Sequence, residues 1–291
     1  MNKIYISILV LLTSFSLFAG TSEFNDSFSG NYTQLFYQLQ KTAKEGNAKS
    51  QNNLGLLYDA GLGVTQNYKK AMYWYTKSAE QNNPKAFGNL AVLYLNGHGV
   101  KKNPEKAIAF YKKAIDAGEP KAIYGLGLMY YDGKGVKENM KKAEKLFLKA
   151  ANLGEPMAQT ALSTGYYKGV KFKQDYKKAL YWGEKAANNG YTPAQQDLAV
   201  YYYLGKGSIP KDMIKAYKWD YIAAQNGGAQ GQNNIIQFAK TMSKSDIAKA
   251  KKEAEEWLST HKNINTELVS AGNPFSSSSS SKPYTVKVHT N

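Results

Sequence analysis

The chain has 291 residues, 38 basic against 22 acidic side chains, a net charge of +16 and no cysteine. Without cysteine it has no thiol nucleophile, no disulfide framework, no thiolate metal site and no lipid-anchored N-terminal cysteine. Every basic residue is lysine. The bidentate arginine fork that reads guanine edges and phosphates is therefore missing, and the charge does not mark a specific nucleic-acid binder.

Residues 1–19 read as a secretory signal: Lys3 in a short basic start, an apolar run from Ile4 to Phe18, and small residues at Ala19-Gly20. The run is shorter than the roughly 20 apolar residues of a comfortable membrane span. The expectation is an exported chain, periplasmic or secreted, soluble after cleavage, monomeric and without a transmembrane helix. Residues 20–31 are polar and are expected to be a flexible lead. Residues 32–46 carry Leu35, Phe36, Leu39 and Ala43 on one helical face and are expected to form an N-terminal capping helix.

From 47 to 227 the sequence repeats about every 36 residues, in the copies 47–82, 83–118, 119–154, 155–190 and 191–227. In the third copy Ala122, Leu126, Gly127 and Tyr130 follow an i, i+4, i+8 spacing, which predicts a first helix, A. After the Gly133-Lys134-Gly135-Val136 turn, Ala143, Leu146, Phe147, Ala150 and Ala151 form the core stripe of a second helix, B. Asn67, Asn103, Asn139 and Asp175 stand where helix B opens and suit an N-cap, whose side chain accepts from the free amides of the first turn. Gly118, Gly154, Gly190 and Gly227 close the copies and suit a left-handed residue, with Pro84, Pro120 and Pro156 opening the next helix A. Gly55 and Gly127 lie inside helix A, where glycine costs about 1 kcal/mol against alanine, so close approach of helix B is expected there.

A period of this length built from two helices specifies a solenoid, each unit burying its apolar face against its neighbours. The pattern, seen almost complete in Leu54-Gly55, Tyr58, Gly61-Leu62-Gly63-Val64, Asn67-Tyr68, Ala71, Trp74-Tyr75 and Ala79, resembles the Sel1-like repeat, a relative of the tetratricopeptide repeat. The resemblance implies an all-α, right-handed superhelix of antiparallel helix pairs that serves as a non-catalytic scaffold for a protein or peptide partner. Copy four departs from it at Lys171 and Phe172, and copy five at Ser208-Ile209-Pro210, so their A–B turns are expected to differ.

Residues 228–262 are read as a C-terminal helical cap, with Ile235, Ile236 and Phe238 inward on one helix and Ile247, Ala250, Ala254, Trp257 and Leu258 on the next. Residues 263–291, with the serine run 276–281, are read as a disordered tail.

Catalysis and cofactor binding find no support. His98, His261 and His289 have no metal-ligand spacing, no nucleophile elbow occurs, and acidic residues such as Asp132, Glu144 and Glu155 recur at surface or cap positions. The Gly-x-Gly pairs supply backbone freedom in a turn; no strand precedes them and no Lys-Ser/Thr follows, so they do not cradle phosphate.

The resemblance puts helix A on the concave side. One column of helix A residues, beside the core stripe, is Tyr124, Leu128, Tyr131; Thr160, Thr164, Tyr167; and Gln196, Val200, Tyr203. Tyr131, Tyr167 and Tyr203 recur at one place in consecutive copies. They either fill the space between repeats or form a docking ladder, since tyrosine is a favoured hot-spot residue. The alternative partner is an anionic envelope polymer, peptidoglycan or a glycan, held through lysines such as Lys69-Lys70, Lys112-Lys113, Lys141-Lys142 and Lys177-Lys178 on the outward face of helix B.

Overall fold

In the computed structural model, which describes residues 22–261, every regular element is a helix. Residues 1–19, expected to be a signal peptide, and 263–291, expected to be a disordered tail, lie outside the described residues. The chain divides into two units, 1–102 and 103–291.

In the first unit the helices are α1 (Ser22–Lys44), α2 (Ala48–Ala60), α3 (Tyr68–Ala79) and α4 (Pro84–Asn96), each packed on the next. Helix α1 begins well upstream of Tyr32, so the segment expected to be a flexible lead is helical from Ser22. Phe36 and Ala43 are buried, as the pattern of 32–46 requires, and the Phe36 ring meets Tyr58 edge to face with centroids 5.4 Å apart.

The second unit contains α5 (Pro104–Asp116), α6 (Pro120–Asp132), α7 (Met140–Asn152), α8 (Pro156–Lys168), α9 (Tyr176–Asn188), α10 (Thr192–Leu204), α11 (Met213–Gln225), α12 (Ala229–Ala239) and α13 (Lys244–Thr260). Consecutive helices from α5 to α12 pack in order, and α13 lies on α11. The A helices α6, α8 and α10 also approach one another, whereas the B helices α7, α9 and α11 stay further apart. The A layer is therefore the inner layer of this stack.

Local chemistry fixes these elements. Each helix A ends on a glycine in the left-handed region (Gly61, Gly97, Gly133, Gly169, Gly205), and each helix B opens on an Asn or Asp whose side chain accepts from the amide three residues on. In the first copy Asn82, at φ 59°, takes the closing left-handed place that glycine fills later. A Cβ on Gly127 would lie 2.6 Å from the buried Phe147 ring, and one on Gly55 2.6 Å from Tyr75. Both glycines thus admit an aromatic edge of helix B at its closest approach.

Three buried glutamines pair polar groups between copies. The buried Gln51, Gln159 and Gln195 donate to the carbonyls of Ala43, Ala151 and Ala187 on the preceding helix. Each accepts in turn from an amide side chain at the end of its own copy, Gln81, Asn189 or Asn226. A buried amide paired at both ends adds register between repeats without an unsatisfied donor.

Copy four does turn differently. Phe172 folds inward, buried against Tyr131, Phe147 and Tyr166, and only a glycine at 165 leaves space for its ring. In the C-terminal cap Ile235, Phe238, Ala250 and Ala254 are buried, but Ile236 is exposed, because its neighbours on α12 already face α11.

Candidate partner-docking surface

The inner layer of 103–261 carries every residue of the predicted column. All are half-buried. Leu128 packs on the core cluster around Phe147, Leu162 and Phe172, and the Tyr124 ring lies 5.4 Å from that of Phe147. The Thr164 hydroxyl donates to the Thr160 carbonyl of its own helix. Gln196 reaches the turn at Gly228, and Val200 lies along α10 beyond it.

The three recurring tyrosines are each engaged with the following copy. Tyr131 meets Phe172 edge to face at 5.9 Å, and Lys171 sits 4.3 Å above its ring. Tyr167 stacks on Tyr201 with centroids 4.0 Å apart and meets Tyr176 edge to face. Tyr203 stacks on Phe238 of α12 at 5.1 Å. These contacts support the space-filling reading of that position, and each of the three residues stays partly exposed.

Sequence reasoning passed over a second group on the same layer. Glu155 caps α8, its Oε1 accepting from the Met157 amide at 3.2 Å. Burial pushes its carboxyl up, against a pull down from that amide and from Lys121. Asp197, on α10, retains some solvent exposure although it sits deep among side chains; burial pushes it up to about 7, with Lys168 pulling the other way. Tyr191 lies near both: its hydroxyl is pushed up to about 12 by burial and by the charges of Glu155 and Asp197. Tyr124 joins them, its hydroxyl raised by burial, by Tyr191 and by Glu155. Residues from three successive copies converge here. Glu155 reads in sequence as an ordinary cap, and nothing in its own copy reveals what the next one brings beside it.

The outer face is organised differently from a plain solvated surface. In copies one, three, four and five the lysine at the third position of helix B lies over a tyrosine near the end of helix A: Lys70 over Tyr58, Lys142 over Tyr130, Lys178 over Tyr166 and Lys215 over Tyr202, at 4.1 to 5.2 Å. The N-cap amide of helix B bonds the carbonyl of that same tyrosine. The pairing follows from the closed A–B turn, and it gives these lysines a structural partner worth about 0.5–1 kcal/mol at an exposed site.

Paired antiparallel helices, an inner A layer and a polar-tipped aromatic inner surface define an α-solenoid of the tetratricopeptide-like class. The Sel1 repeat model matches residues 48–83, 88–119, 120–155, 156–191 and 192–228, and the chain belongs to the Sel1 repeat family. Among solved structures it is similar to a Sel1 repeat protein from Oxalobacter formigenes, at 36% identity over 65% of this chain and 75% of that one, with a TM-score of 0.57. It is also similar to a protective antigen of uropathogenic Escherichia coli with an SLR fold (26% identity, 87% and 61% covered, TM-score 0.44). A third similarity is to an immunity protein from Pseudomonas aeruginosa (28%, 67% and 74%, TM-score 0.45). No curated protein matches. No described helix is long and apolar enough to cross a membrane.

Proposed function

We propose that this chain is an exported, non-catalytic scaffold that docks an extended segment of a partner protein on the inner layer of α6, α8 and α10. The observation that carries the reading is the composition of that layer. Half-buried tyrosine, leucine, valine and threonine side chains from three copies lie on its helices. Large polar-tipped rings held rigidly by neighbouring repeats lose little entropy on binding, which suits hot-spot residues. The lysines of the outer face, tied to tyrosine rings, support a structural use better than loose attraction to an envelope polymer.

Peptide selection from an unbiased linear library against the full chain tests this. Selected peptides are expected to lose binding at least tenfold to the variant Thr164→Arg/Val200→Arg, which places bulk on the inner layer. They are expected to keep binding to Lys141→Glu/Lys142→Glu on the outer face. The reverse pattern moves the docking surface to helix B and favours the envelope-polymer reading.

A further inference from the structure

Helix B carries a second stripe, separate from the lysines that lie over tyrosine rings. Two, six and ten residues past the N-cap Asn139 of α7 stand Lys141, Lys145 and Lys149; the same places after Asp175 on α9 hold Lys177, Tyr181 and Lys185. All six side chains are exposed, and the spacing puts each set on one helix face. Among the described residues none of these lysines forms an ion pair. The one carboxylate of each helix is engaged by the next copy instead: the Tyr166 hydroxyl donates to Glu144 at 2.6 Å and the Tyr202 hydroxyl donates to Glu184 at 2.8 Å. Like charges one helical turn apart repel, so Lys141, Lys145 and Lys149 gain from an external anionic surface.

Copy five shows the same face where protein covers it. The equivalent places after Asp212 on α11 are Ile214, Lys218 and Ile222, and α13 packs on this helix. Ile222 is buried, Ile214 packs on the cluster that includes Ala250 and Ala254 of α13, and the Glu253 carboxylate lies 3.7 Å from the Lys218 ammonium. Under a protein cover, two of the three places are apolar and the lysine is paired. On α7 and α9 the apolar residues give way to lysine, and the one ring in the stripes, Tyr181, is exposed with Lys185 4.7 Å above it. Such a face has no apolar seat for a partner helix. It suits a plane of anionic headgroups, which meets positive charges at any spacing and takes up the polar-tipped ring of tyrosine at its boundary. Lysine without arginine fits this delocalised attraction better than geometry-specific binding of a defined anion.

We propose that the outer stripes of α7 and α9 attach the chain to an anionic phospholipid surface. The attachment is peripheral: the lysine ammonium groups reach the headgroups on long apolar stems, Tyr181 enters the interface, and the helices stay outside the hydrocarbon. It goes beyond the inner-layer docking reading and does not depend on it, because it uses the B helices and leaves the A helices to a partner segment. The attraction is electrostatic and weakens as ionic strength rises.

Co-sedimentation of the full chain with vesicles tests this, comparing phosphatidylcholine alone with an equal mixture of phosphatidylcholine and phosphatidylglycerol. The native chain is expected to bind the mixed vesicles at least tenfold more tightly than the neutral ones and to lose that preference in high salt. Lys141→Gln/Lys145→Gln/Lys149→Gln/Lys177→Gln should bind the mixed vesicles at least tenfold more weakly. Lys137→Gln/Lys206→Gln/Lys244→Gln/Lys249→Gln, an equal loss of charge from exposed lysines outside the stripes, should cost less than threefold. Tyr181→Gln should weaken binding at unchanged charge. Helical content by circular dichroism checks that each variant is folded; if the stripe variant is not, Lys145→Gln against Lys249→Gln decides. Equal losses in the two lysine sets reduce the effect to net charge and overturn the site. No preference for the mixed vesicles, with the native chain retained on an acidic polysaccharide and the stripe variant released, assigns the face to a polymer and overturns the lipid reading.

Discussion

The ring of Tyr167 lies flat on that of Tyr201, with centroids 4.0 Å apart and planes 8° from parallel, and so ties copy four to copy five. The Tyr167 hydroxyl oxygen is buried there without a hydrogen-bond partner. Removing the hydroxyl while keeping the ring is therefore favourable, and removing the ring is not. Tyr167→Phe is expected to raise stability by about 1 kcal/mol and Tyr167→Ala to lower it by about 2–3 kcal/mol, read from urea denaturation. Equal losses in both variants would mean that the hydroxyl is bonded after all.

Gly127 faces the Phe147 ring, which is buried and cannot retreat. Gly127→Leu is expected to destabilise by more than about 2 kcal/mol through overpacking. An unchanged denaturation midpoint would remove this position from the helix–helix contact.

Phe172→Val gives copy four the residue found at that place in copies one to three, Val64, Val100 and Val136. A consensus change of this kind often stabilises, but here it opens a cavity between Tyr131, Phe147 and Tyr166. A loss of about 1–3 kcal/mol is expected in the same denaturation assay; a gain would contradict the inward placement of Phe172.

Asp220 on α11 is fully buried, and neither carboxyl oxygen has a partner at hydrogen-bonding geometry, Asn234 on α12 being close enough only to favour the charged form weakly. Burial pushes the group up to about 7. The folded pKa thus exceeds the unfolded value of about 4. The acid's contribution to stability is complete below about pH 4 and is lost as the pH rises through 7, a change on the order of 4 kcal/mol at most. Asp220→Asn should cancel this loss, so that the variant gains on the native chain between pH 5 and pH 8 in thermal melts. Parallel pH profiles would rule out the assignment.

The repeat architecture was legible because it is written in local chemistry. Asn139 caps a helix, Gly133 ends one, and Gly127 admits an aromatic ring, and each of these roles depends on neighbours close in sequence or on a period that recurs. What the sequence concealed lies between copies. Lys142 reads as an exposed charge until the turn brings Tyr130 under it, and Lys171 reads as an odd loop residue until it lands on Tyr131. Asp197 was not singled out by its pattern at all, because burial of its carboxyl comes from the surrounding copies. The tyrosine column was visible by register alone, but its packing on Phe172, Tyr201 and Phe238 was not, since the partners sit at different places in their copies.

The central claim is that a partner segment lies on the inner layer of α6, α8 and α10. Photo-crosslinking tests it most directly: p-benzoylphenylalanine is placed at position 164 on that layer and, in a second protein, at position 141 on the outer face, and each is irradiated with a selected peptide. The account predicts a covalent peptide adduct from position 164, suppressed by excess unlabelled peptide, and none from position 141. Adducts from 141 alone would contradict it.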